Sequence, residues 1–190
     1  MKKLCFFLFI IFSLSTIAQS KKEEVEQRIS REKMPLGALQ ILDLFKDKKF
    51  KKQHYFFEKD GNKESFEAKF IYNKSAYSVE FSPKGKLEDV EVVIKKQQIA
   101  PKPLDKIESF LKDNFDAFKI VKVQKQFKNG IAKVVFEKSL LPTNHPDNFE
   151  LIVQTRLKES YYKYEFLFDA NGDYKEKRKV VKNQFDYLIF

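Results

Sequence analysis

The chain has 190 residues, of which 43% are hydrophobic and 15% aromatic, with 21 Phe and a formal net charge of +10. That much apolar material builds a core without disulfide staples, and a single cysteine excludes a disulfide framework within one chain. Five glycines, none in a phosphate-cradling loop, and two scattered histidines give no support to nucleotide loops or zinc sites.

Residues 1–18 read as a secretory signal peptide. Lys2 and Lys3 form the basic n-region, Leu4–Phe12 the apolar segment, and Thr16-Ile17-Ala18 the small-residue pattern that places a cut after Ala18. The apolar run falls short of the roughly 20 residues that a membrane-spanning helix needs, so a retained anchor is the lesser reading. Cys5 lies within the leader, ahead of most of the apolar run. The exported chain therefore carries no cysteine and a net charge of +8. Export removes nucleic acid from the expected partners. The remaining positive charge, densest at Lys46–Lys52, reads as a solvated surface able to associate weakly with anionic envelope material.

Residues 19–33 are highly charged, with Val25 and Ile29 the apolar pair at i,i+4 spacing, and read as a spacer or marginal surface helix. A first unit is expected over 34–100. Pro35 opens a helix whose stripe is Leu36, Leu39, Leu42 and Phe45. Four strands follow, at Phe50–Phe57, Phe66–Tyr72, Tyr77–Phe81 and Val90–Ile94, separated by turns such as Asp60-Gly61-Asn62.

A second unit is expected over 101–190. Pro103 opens a helix with Leu104, Ile107, Leu111 and Phe115 on one face. Strands are predicted near 118–127, 131–137, 150–158 and 161–168, with a last one through Val181. Asn129-Gly130 is a hairpin signal between the first two. The loop Leu141–Asn148 holds two prolines and cannot be a central strand. In the final hairpin Tyr162, Tyr164, Phe166 and Phe168 alternate with polar residues, and Asn171-Gly172 supplies the turn.

The halves can be overlaid. Tyr77-x-Val79-x-Phe81-Ser82-x-x-Gly85 matches Tyr164-x-Phe166-x-Phe168-Asp169-x-x-Gly172 without a gap, and Pro35-Leu36 matches Pro103-Leu104. The two offsets, 87 and 68 residues, differ by 19, which implies an insertion in the second half near 131–149. The expected class is α+β, as two tandem units of one helix on about four antiparallel strands. The Pro103-Leu104 helix start, the Ala117–Val123 strand and the Tyr164–Gly172 motif resemble the PepSY-like domain family of exported bacterial proteins. That family is described as similar in fold to β-lactamase inhibitor protein. The resemblance covers about 80 residues well and the first half more loosely; the proline-containing insertion departs from it. It implies a fold and no active site, and related folds act as inhibitors or regulators of enzymes.

Catalytic patterns are weak. His54 sits in a Lys-rich strand and His145 in the proline loop, with no nucleophile motif beside either. Glu88-Asp89 and Glu23-Glu24 are adjacent, which points them apart in a strand. Asp169-x-Asn171-x-Asp173 alternates oxygen side chains as calcium prefers. However, Gly172 falls at the fourth position and Val180 stands at the twelfth, so a hairpin turn explains it better. No cofactor or metal is expected. The terminal Phe190 is a feature of outer-membrane barrels, but the two predicted helices argue against one.

What remains is a surface. If Tyr162, Tyr164, Phe166 and Phe168 face the helix, Tyr161, Lys163 and Glu165 face away, with Gln154 and Arg156 beside them on the neighbouring strand. Tyr and Arg are enriched at binding hot spots. The expectation is an exported, non-enzymatic protein-binding module whose partner is another envelope protein. The runner-up is a lipid- or polymer-binding protein using the basic patches or an apolar helix–sheet cavity; an enzyme comes third.

Overall fold

A computed structural model describes residues 21–22 and 24–180; residues 1–20, on which the signal-peptide reading and Cys5 fall, Glu23 and residues 181–190 lie outside them. Ten strands form one sheet: β1 (Lys21–Lys22), β2 (Glu24–Ile29), β3 (Lys51–Asp60), β4 (Lys63–Tyr72), β5 (Ser75–Phe81), β6 (Leu87–Ile94), β7 (Ala117–Phe127), β8 (Asn148–Leu157), β9 (Ser160–Asp169) and β10 (Tyr174–Val180). From β2 to β10 each strand pairs antiparallel with the next in sequence. Three helices interrupt the meander: α1 (Leu36–Asp43), α2 (Pro101–Asn114) and α3 (Ala132–Ser139).

In its described part the charged segment at 19–33 is two strands, β1 and β2, followed by a single 3-10 turn at Arg31–Lys33, rather than a spacer or a marginal surface helix. Glu24, Glu26 and Arg28 alternate with Val25, Gln27 and Ile29, and β2 pairs in register with β3 from Glu24↔Asp60 to Ile29↔Tyr55. The period of two overrides the single i,i+4 apolar pair, because Val25 is 56% exposed while Ile29 packs on the core. Just ahead of it, β1 pairs in parallel with β10, Lys21 opposite Lys179 and Lys22 opposite Val180. The same N-terminal stretch thus meets both edges of the antiparallel sheet, which curls round to join them. Ion pairs span the seam: Arg178 to Asp60 at 2.6 Å, and Lys22 to Glu165.

The helices pack on the outer face of the curl. Over β3–β7, α1 and α3 cover a cluster with Phe70, Tyr77, Val79, Phe81 and Phe136 at its centre. Over β7–β9, α2 inserts Ile107 and Leu111 among Leu151, Val153, Phe166 and Phe168. Each such fully buried side chain contributes about 1.5–3 kcal/mol. The expected strand at 131–137 is helical. Val135, Phe136 and Ser139 are its buried side, and Phe136 packs at 4.2 Å against Phe45 and closes edge-on to Phe50 and Phe70. Aromatic packing by Phe136 outweighs the β-branched pair Val134-Val135. Asn129-Gly130 accordingly bends the chain into α3 instead of turning a hairpin. In the last hairpin only Gly172 has positive φ, at 82°. The Asp169 carboxylate makes the rest of that turn by accepting the backbone N–H groups of Asn171 and Asp173.

Candidate functional site

Strand alternation sends one set of side chains into the two clusters and the other onto the inner face of the curl. Register carries that face across the sheet: Glu58 opposite Ser65, His54 opposite Lys69, Glu80 opposite Asp89, Gln124 opposite Glu150, Ile152 opposite Glu165, and Arg156 opposite Tyr161. In an antiparallel sheet, the C-terminal ends of β2, β4, β6 and β8 share one end of the curl with the N-terminal ends of β3, β5, β7 and β9. The two ends of the inner face differ in charge.

At one end lies a cavity of about 380 Å³ lined by ten carboxylates against four cationic side chains. Its walls include Glu58, Glu67, Asp89 and Glu165, which are 6–8% exposed. The groups are knitted together: Ser78 donates to Glu67, Gln124 to Glu91, Gln126 to Asp89 at 3.0 Å, and Asn148 to Gln126 at 2.7 Å. Burial dominates the titration of several of them. It pushes Glu58 up to about 12, reinforced by Glu67, and raises Asp89 and Glu91 to about 8, reinforced by Glu80 and Asp89 respectively. Burial also acts on Glu165, but Lys22 and Arg178 outweigh it and hold that carboxyl below its ordinary value.

The other end is basic. Arg28, His54, Lys119, Lys122, Arg156 and Lys163 reach the inner face there, and Lys69 stands at the boundary, ion-paired with Glu26 at 2.6 Å and Glu67 at 2.8 Å. Arg28 donates to the His54 Nδ1 at 2.7 Å, and Lys69 lies 5.0 Å from the centre of the Phe56 ring. Desolvation, then the charges of Arg28 and Lys52, lowers the His54 pKa and favours the neutral acceptor.

The structure gathers the sequence-predicted binding residues on this face but not in one environment. Gln154, Arg156 and Tyr161 are exposed at the rim, with Tyr161 at 77%, and Lys163 is half-buried opposite Gln154. Glu165 is buried toward the acidic end, ion-paired with Lys22 and Arg178. Its partners come from the two ends of the described chain, so the β8–β9 pattern alone could not reveal them. The acidic cavity escaped sequence reading, since Glu58, Glu67, Asp89, Glu91 and Glu150 look like the polar positions of solvated strands. A signal was present: glutamates recur at the polar phase in strand after strand.

The remaining candidates have local roles. Asp169 is occupied by the turn, and Asp173 is held by Lys106 at 2.7 Å, so that motif closes a hairpin. His145 is exposed in the loop after α3. A second hollow of about 400 Å³ lies between the end of α1 and the β3–β4 strands. Leu42, Phe50, Tyr55 and Phe70 line it, together with Arg31, Lys46 and Lys48. Among the described residues no helix is long and apolar enough to cross a membrane.

No family model and no curated protein matches the sequence. By structure the chain is similar to a DUF2874 family protein from Bacteroides ovatus, at 13% identity and a TM-score of 0.54, covering 82% of this chain and 93% of that one. It is also similar to a BLIP-like protein from Bacteroides fragilis, at 11% identity and a TM-score of 0.50, covering 81% of this chain and 92% of that one. At these identities the likeness is one of fold, and the fold is α+β and BLIP-like.

Proposed function

We propose that the chain is an exported, non-enzymatic binding module that holds an acidic surface of another envelope protein on the basic end of its curled sheet. The observation that carries this reading is the rim itself. Arg156 pairs across strands with Tyr161, and Gln154 with Lys163. Tyr161 is 77% exposed. An aromatic anchor framed by Arg and Lys is the composition of an interface hot spot. The other basic residues of that end make the surroundings complementary to negative charge. Export rests on the leader at 1–18, and the non-enzymatic reading on the use of His54 as an acceptor for Arg28. We further infer that the chain descends from two PepSY-like units. Gly85 abuts the first turn of α1, as Gly172 abuts Pro103 in the first turn of α2.

The test is capture of partners from envelope extract by the tagged, exported chain at low and moderate salt, beside the double variant Arg156→Ala/Tyr161→Ala. One protein that survives added salt and is lost with the double variant is expected. Capture of only salt-labile acidic material, indifferent to the substitutions, contradicts the reading. The hollow at the end of α1 favours a second reading, because its apolar floor and basic edge suit an anionic amphiphile. Recovery of lipid that depends on Lys46 and Lys48 would support that reading instead.

A further inference from the structure

The seam between the two edges of the sheet is described over two residue pairs. Lys21 stands opposite Lys179 and Lys22 opposite Val180, in parallel. Beyond that point β2 runs on for six residues and, among the described residues, pairs with β3 alone. Its other side is a row of backbone donors and acceptors, and such an edge recruits another strand unless something covers it. Apolar surface lies along the same edge, where Val25 is 56% exposed and Ile29 is packed only in part against the core.

We propose that the C-terminal segment 181–190 of this chain covers that edge, extending β10 as a strand parallel to β2. The first reason is position. β10 brings Val180 beside Lys22 and runs in the direction of β2, with ten residues of chain to follow. Six of them, at about 3.3 Å each, match the length of β2.

The second reason is phase. Arg178 points to the inner face, where it pairs with Asp60 and Glu165. Lys177 lies over the Phe115 and Tyr164 rings, and Lys179 over Tyr162, on the helix-covered face. Continuing that alternation sends Lys182, Gln184 and Asp186 inward and Val181, Phe185, Tyr187 and Ile189 outward. Polar side chains fall on the charged face and the large apolar ones on the other.

The third reason is register. The β1–β10 offset of 158 residues (21 to 179, 22 to 180), carried along β2, sets Gln27 opposite Phe185, Arg28 opposite Asp186 and Ile29 opposite Tyr187. Asp186 then meets Arg28 at the basic end, and Lys182 meets Glu24 at the acidic end. Phe185 falls between Val25 and Ile29, against the apolar surface of the edge. A slip of one residue would turn Phe185 and Tyr187 onto the charged face. A partner's strand or a second copy could pair with this edge through backbone alone, but the matched charges and apolar positions single out the chain's own tail. Seated there, the tail seals the seam, and the inner face opens only at its two ends. The proposal goes beyond the binding reading and does not depend on what the basic end holds.

The exported chain carries no cysteine, so paired cysteines test the register directly. Val25→Cys/Asn183→Cys sets two thiols on opposed residues, within the roughly 4.4–6.8 Å between Cα atoms that a disulfide spans. Val25→Cys/Tyr187→Cys keeps the same face but moves the second thiol about 13 Å along the strand, which is out of reach. Both variants are oxidised in dilute solution with a glutathione buffer and read by intact mass and non-reducing electrophoresis. Circular dichroism of the reduced forms checks that each is folded. The 25/183 pair should close within one chain at least about tenfold faster than the 25/187 pair. Asp186→Arg, which opposes Arg28 with like charge, should slow that closure about two- to fivefold, and adding Arg28→Asp should restore it. Equal closure of the two pairs, or closure of neither, overturns the proposal, and so does closure indifferent to the charge reversal. A disulfide found only between chains also overturns it, by giving the edge to a second copy.

Discussion

At the scale of single residues, the inner face stores protons. Asp89 and Glu91 titrate near pH 8 and Glu58 near 12, each displaced first by burial and then by a neighbouring carboxylate. In the unfolded chain these groups lose their protons near pH 4. Between about pH 4 and 8 the native state therefore binds more protons than the unfolded state, and stability falls as pH rises through that window. Glu58 extends the fall upward. Glu165 and Glu67, held low, act in the opposite sense, but only as pH drops below the ordinary carboxylate range. The thermal midpoint should accordingly be lower at about pH 8.5 than at about pH 5.5. A midpoint that rises over that interval would mean these carboxylates are ionised at little cost. The alternation that puts Tyr162, Tyr164, Phe166 and Phe168 inside was legible in the sequence. The fate of Glu165 was not, because its partner Lys22 lies 143 residues away.

At the scale of elements, the turn glycines set how the helices seat. A Cβ on Gly172 would stand 2.4 Å from the Pro103 carbonyl oxygen and 2.9 Å from its Cα, with φ at 82°. Gly85 meets the backbone of Gly37 and Ala38 less tightly, at 2.8–2.9 Å. Gly61 also has positive φ, but nothing lies within 4 Å of its Cβ position. Gly172→Ala combines left-handed strain with a clash against backbone and should cost on the order of 2–4 kcal/mol. Gly61→Ala carries strain alone and should cost about 1 kcal/mol. Urea unfolding of the two variants measures the difference; equal losses would mean that α2 shifts freely away from the turn. The matched positions of Gly85 and Gly172 were visible in the sequence, as were α1, α2 and most strands. The helix at 132–139 was not, since Val134, Val135 and Phe136 suit a strand equally well until Phe45, Phe50 and Phe70 supply a pocket.

At the scale of the molecule, a net charge of +10 conceals an acidic interior. Averages over the sequence hide such polarity, because it appears only when strand phase and strand direction are combined across a closed register. The fold class was readable from periodicity. The split of the inner face into an acidic and a basic end was not, and neither was the joining of its edges, which depends on a stretch that reads as a spacer. The closed inner face depends on that joining: Glu24 and Glu26 bring the N-terminal strand to the acidic end, and Arg28 brings it to the basic end. Residues 24–29 are mostly polar, so their strand is held by pairing with β3, by the β1–β10 contact and by ion pairs across the seam.

The most direct test is amide hydrogen exchange of the exported chain, followed at residues 24–29 and 178–180. The account predicts slow exchange in both segments, near that of the paired strands β3 and β9. Exchange of 24–29 at the rate of open chain, with 178–180 behaving as a free sheet edge, would contradict it: the inner face would then be an open sheet, without the enclosed acidic end.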